Sequence, residues 1–147
     1  MKKLCIFCLA WLFIFCVWSL PSSLADAPVP PHATEPVRNI IFCKDVDEFE
    51  PIEPGDTLPA DIFCMLVKLD KPFKELSSSE YVHATLQSEK TGMVFETSER
   101  VKPLSKYVVV KYQLRWEGKF KVEIIADARQ AGKTPWLLAR GTVTLVK

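Results

Sequence analysis

The sequence predicts an all-β domain, an antiparallel sandwich of about seven strands, and three observations carry that prediction. From Val37 onward the apolar residues recur with a period of two, not 3.6. All five glycines (Gly55, Gly92, Gly118, Gly132 and Gly141) fall between or near the ends of these runs. So do Pro51, Pro54, Pro59, Pro72, Pro103 and Pro135, so that turn residues punctuate the chain into strand-sized pieces. No helical stripe is present, although Pro72–Ser79 has room for one turn.

The first strand is expected at Val37–Cys43. Ala60–Leu69 is apolar on both faces, with Phe63, Met65, Val67 and Leu69 on one and Ile62, Cys64 and Leu66 on the other, which suits a central strand. Tyr81–Glu89 alternates, Val82, Ala84 and Leu86 inward, and Tyr81, His83, Thr85 and Gln87 outward. Met93–Thr97 is short. Lys106–Trp116 places Val108, Val110, Tyr112, Leu114 and Trp116 on one face. Lys119–Asp127 turns Phe120, Val122, Ile124 and Ala126 inward against Lys119, Lys121 and Glu123. A last strand runs from about Leu137 to Val146.

Two segments resemble those of extracytoplasmic immunoglobulin-like modules. "EPGDTLPADIFCMLV" looks like a Gly-Asp turn leading into a long buried strand, and "WEGKFKVEIIADARQAGKTPWLLARGTVTLV" looks like a closing hairpin. The resemblance covers most of Val37–Lys147 and implies an immunoglobulin-like sandwich. It is to a fold pattern, without a specific named family, and the Cys…Trp…Cys spacing of antibody domains is absent.

The N-terminus predicts the compartment. Lys2 and Lys3 precede an uncharged run of 17 residues, Leu4–Leu20, and then "PSSLADA". This is the layout of a secretory signal peptide, with Ser23 and Ala25 placing cleavage after Ala25. A retained anchor is the alternative, since the run lies at the lower limit for spanning a bilayer. No cysteine stands where lipid attachment would need one. The expected organisation is a signal at 1–25, a Pro-rich tether at 26–36 and one domain at 37–147. His32, within the tether, has no second ligand nearby and reads as solvated.

Removing Lys2 and Lys3 from 19 basic residues leaves 17 against 18 acidic ones, a net charge of −1. Such a balance offers no global field for nucleic acid or anionic lipid, so neither nucleic-acid binding nor membrane insertion after cleavage is expected. The distribution is uneven: Cys43–Glu99 holds 5 basic and 13 acidic residues, Arg100–Lys147 holds 11 and 3. In a sandwich these halves interleave, so cross-strand pairing is expected to absorb most of the imbalance. The run "DVDEFEPIEPGD" reads as a solvated inter-strand loop. It lacks the spacing and glycine of a calcium-binding EF-hand loop.

Cys5, Cys8 and Cys16 leave with the signal, so Cys43 and Cys64 are the two cysteines of the mature chain. An even number in an oxidising compartment suggests a bridge. If their strands are antiparallel neighbours, opposed residues come within disulfide range. Closing a loop of about 20 residues would stabilise by ~3 kcal/mol. The alternative is two buried free thiols acting as small hydrophobes.

Catalytic signatures are missing: the mature chain has no G-x-S-x-G, H-E-x-x-H, phosphate-binding glycine loop or C-x-x-C. No metal spacing or cofactor signature is apparent, and Met65 faces away from Cys64. A recognition loop is expected at "ADARQAGKTPWLLARG", with Arg129, Lys133 and Trp136 as candidate contacts, unless Trp136 folds back to plug the core. The sequence thus points to an exported, non-enzymatic binding module for a protein or surface ligand, such as an accessory subunit of an envelope or extracellular assembly. A small metal carrier or enzyme using His83 with nearby carboxylates or sulfur is the alternative.

Overall fold

A computed structural model describes residues 36–127 and 135–147. The expected signal peptide, most of the tether, and Arg129 and Lys133 of the candidate loop lie outside the described residues.

Within them the chain forms two sheets packed face to face, the expected β-sandwich. One sheet holds β1 (Arg38–Asn39), β10 (Trp136–Val146), β9 (Gly118–Ala126), β6 (Tyr81–Ser88) and β7 (Val94–Arg100), in that order, with β4 (Thr57–Pro59) also on β10. The other has the order β3 (Glu50–Pro54), β2 (Ile41–Asp47), β5 (Ile62–Lys68) and β8 (Tyr107–Gln113). The long pairings are antiparallel, and only β1 and β4 run parallel to β10.

The alternating pattern decides the faces. Val82, Ala84 and Leu86 of β6, and Phe120, Val122, Ile124 and Ala126 of β9, are buried as the sequence requires. From the facing sheet Phe63, Met65 and Val67 of β5 and Val108 and Val110 of β8 close the core. Each large side chain so buried contributes about 1.5–3 kcal/mol. β5 is central in its sheet, flanked by β2 and β8.

The start of the chain divides between the sheets. Arg38 and Asn39 pair with β10, Ile40 donates its N–H to the Arg140 carbonyl at 3.3 Å, and Ile41 then pairs with Leu66 of β5. The crossing passes over Gly141, where a Cβ would stand 2.7 Å from the Phe42 ring and 3.3 Å from Ile40 Cβ. The side of β10 away from β9 is thus occupied by β1 at Ala139–Arg140 and β4 at Thr144–Val146, with the crossing between them.

Three expectations need correction. The first strand is two pieces, and β2 continues past Cys43 to Asp47. The acidic segment is not a loop, because its residues extend β2 and form β3. Pro51 and Pro54 are tolerated there because β3 pairs on one side only, with β2. Lastly, β8 stops at Gln113, where Leu114 N–H bonds instead to the Asp61 carbonyl at 3.0 Å. Trp116 therefore leaves the inward face and stands 52% exposed, with its ring 5.8 Å from that of Phe95. The single turn foreseen in Pro72–Ser79 is a 3-10 turn at Phe73–Glu75.

Gly141→Ala should therefore destabilise by about 1–3 kcal/mol, because Phe42 is buried and cannot swing into solvent. Adding Phe42→Leu to that variant should cost less than the two single changes summed, since it vacates the contested space. Urea unfolding measures both. A Gly141→Ala variant as stable as the parent would mean that the crossing is not this close.

Candidate functional site

The outer face of the β3-β2-β5-β8 sheet is where this fold departs from a plain sandwich. Cys43 pairs directly with Cys64 across β2 and β5, and Cys64 with Lys111 across β5 and β8. All three lie opposite the core face, as does Leu66. Cys43, Cys64 and Leu66 are nonetheless 0%, 1% and 0% exposed while lying outside the inter-sheet core. Something covers them from outside.

The cover is the β2–β3 hairpin. Only Ile41, Phe42 and Cys43 of β2 pair with β5, and the later residues pair with β3 alone. Asp45 sits over Cys64 and Lys111, with its Oδ1 3.7 Å from Cys64 Sγ and 3.5 Å from Lys111 Nζ. Phe49, at the hairpin tip, stacks on Tyr107 with ring centroids 4.6 Å apart and 11° between planes. Tyr107 pairs with Lys68, on the far side of the Leu66–Val109 rung from Cys64. A straight β2 would carry Phe49 away from Tyr107, so the hairpin doubles back across β5 and β8 as an arm.

The tip is strained. Asp47 pairs with Glu50, leaving Glu48 and Phe49 as a two-residue turn with φ of +46° and +66°. Such turns favour Asn-Gly because both central residues need positive φ. A bulky residue held there costs of order 1–3 kcal/mol and persists where its surroundings fix it. The stack on Tyr107 supplies that restraint.

Beside the tip stands the β7–β8 turn, a rigid platform. Phe73 and Lys74 donate their N–H groups to the carbonyls of Ser105 and Pro103, both at 2.9 Å. Ser105 N–H reaches the Lys102 carbonyl at 2.9 Å, and Ser105 Oγ donates to the Tyr107 carbonyl at 2.7 Å. On this platform Leu104 is 70% exposed, the highest value among the large apolar residues described, and Phe49 is 46% exposed. Phe49, Lys102, Leu104, Ser105, Lys106 and Tyr107 together line one open groove. Leu104 and Phe49 thus present apolar surface side by side, with Lys102 and Lys106 at its margin.

Beneath the arm the two thiols are shielded from water. Cys43 Sγ–H donates to the Cys64 carbonyl and Cys64 Sγ–H to Asp45 Oδ1, both at 3.7 Å. Burial, followed by the nearby Cys43, pushes the Cys64 thiol up to about 11, and burial with Asp45 raises that of Cys43. Asp45 is held low by the Val46 N–H and then by Lys111. Both residues are free thiols here, opposed on neighbouring antiparallel strands as the sequence reading required, with no S–S bond. In this state they are poor nucleophiles, since the thiolate is the reactive form.

His83 lies in the other sheet, on its outer face, exposed and 2.8 Å from Ser98 Oγ through Nδ1. It shares a shallow groove with Glu96, Ser98 and Asp127. It pairs with Ser98 of β7 and Ile125 of β9, in the middle of its sheet. The two sheets also keep His83 apart from both cysteines. Among the described residues no group of three or more His, Cys, Asp or Glu side chains is placed to hold a metal ion, and no helix is long and apolar enough to cross a membrane.

Trp136 is 9% exposed, packs with the core cluster and pairs with Ala126. It plugs the end of the sandwich instead of projecting as a contact. Sequence reasoning had no signal for Leu104 beyond the preceding Pro103, and missed Phe49 because the acidic run masked a hairpin. Comparison with protein-family models, curated proteins and solved structures gave no match.

The buried thiols make stability depend on redox state at alkaline pH. The unfolded thiol titrates near 9.0, but the folded Cys64 keeps its proton to about 11. Its contribution is thus complete below pH 9.0 and lost as pH rises toward 11, at up to about 1.4 kcal/mol per pH unit. Urea unfolding of the reduced chain should show this fall, and a bridged chain, having no thiol to titrate, should lack it. Coincident profiles would mean that the thiols are not buried as described.

Proposed function

We propose that this chain is an exported, non-enzymatic binding module, an accessory subunit of an envelope or extracellular assembly, which engages a partner through Phe49, Leu104 and Tyr107. The observation that carries the reading is Leu104, 70% exposed on a turn fixed by backbone hydrogen bonds, beside a Phe49 held at positive φ. Strain retained at an exposed apolar tip costs stability without adding to the core, and its benefit lies at the surface. The signal-like N-terminus supports export. In an oxidising compartment Cys43 and Cys64 would join as a disulfide, two thiols giving up two protons and two electrons to a disulfide-bearing oxidant. That bond would fasten the root of the arm.

Phe49→Gly tests the site without threatening the fold, since glycine relieves the positive φ while the aromatic tip is lost. Immobilised parent protein should recover a stoichiometric partner from the native envelope or medium. Phe49→Gly and Leu104→Ser should each lower recovery at least about tenfold, with melting temperatures within a few degrees of the parent. His83→Ala should leave recovery intact. Recovery that survives both patch changes would overturn this assignment of the site.

A further inference from the structure

We infer that the first occupant of the Phe49–Leu104 patch is a second copy of this chain, joined about a two-fold axis. The inference rests on the reading of this patch as a binding surface and names its partner. The patch has two halves of opposite charge. On the arm, Phe49 is flanked by the exposed Asp47, Glu48 and Glu50. On the turn, Leu104 is flanked by the exposed Lys102 and Lys106. Among the described residues none of these five charges makes an ion pair, whereas Asp45, Glu53, Glu80 and Glu89 all do. An apolar seam with acid on one side and base on the other is complementary to itself.

A two-fold axis through the seam sets each arm against the other copy's turn. Two acid-to-lysine contacts then form at once, around Phe49 and Leu104 of both copies, as an isologous interface requires. An anionic lipid surface would meet three carboxylates beside the lysines, and a purely acidic peptide would face the same repulsion. A second copy satisfies both halves. The seam is small compared with stable interfaces, so the dimer should be weak, with a dissociation constant of roughly micromolar to high micromolar.

The test uses purified exported protein in sedimentation equilibrium up to about 1 mM, in low and high salt. The parent should dimerise with concentration, and more weakly in high salt. Glu48→Lys with Glu50→Lys, or Lys102→Glu with Lys106→Glu, should each weaken the dimer at least about tenfold, because like charges then meet twice. Mixing the two variants should restore association, since each arm again faces an opposite turn. Leu104→Ser should abolish it. A parent that stays monomeric, or a dimer indifferent to the charge reversals, overturns the inference. So does binding of the monomer to anionic vesicles through these lysines. If the parent is monomeric while Phe49→Gly still abolishes recovery of a different protein, the binding-module reading stands and this one alone falls. Loss of both results removes both readings.

Discussion

The ring of Phe42 occupies the space in which a side chain at position 141 would stand. That close approach lets the chain leave β10 after Asn39 and enter the opposite sheet at Ile41 within a single residue. A Cβ at 141 would lift the crossing and shift the three-residue pairing of Ile41, Phe42 and Cys43 with β5. Because this pairing is so short, it fixes both where β2 sits and where it departs. The position of the arm over the outer face, and of Phe49 on Tyr107, depends on that anchorage.

An arm that doubles back over its own sheet solves one physical problem and creates another. It removes Leu66 and two cysteines from water on a face that antiparallel sheets commonly leave solvated. In exchange, it must turn through two non-glycine residues at positive φ and place Asp45 close to a buried thiol. Lys111 offsets the second cost by pairing with Asp45. The first is offset only in part by the Phe49–Tyr107 stack, worth about 0.5–1.5 kcal/mol beyond its buried area, against strain of order 1–3 kcal/mol at each of the two turn residues. The tip is therefore held in place without being strongly stabilised.

The sheets themselves were legible because strict alternation leaves little freedom: Val82 to Leu86, and Phe120 to Ala126, face the core on any register that buries them at all. The run at Ile62–Lys68 was legible as a central strand on a different ground, being apolar on both faces without alternation. The arm was not. Two prolines and six acids between Asp45 and Asp56 argue for a loop when β-propensity is taken alone. An edge strand that pairs on one side only escapes that argument, and tertiary contact supplies what propensity lacks. Trp116 failed differently, because the period of two continued in the sequence after the ladder had ended at Gln113. For Phe49 and Leu104 the local sequence had nothing to say, since exposure beside a distant turn is a property of the crossing and the arm.

The same placement explains the uneven charge. Asp45–Lys111, Glu80–Arg100 and Glu89–Lys119 each join an acid of the first half to a base of the second, so interleaving absorbs part of the imbalance. Exposed pairs of this kind contribute little to stability, about 0–1 kcal/mol each, and so they do not explain why the remaining charges are sorted. Asp47, Glu48 and Glu50 stay together on the arm, and Lys102 and Lys106 stay together on the turn, with Phe49 and Leu104 between them. Charges sorted about an exposed apolar seam add little to the fold of one chain, and a surface presenting the opposite order would complement them.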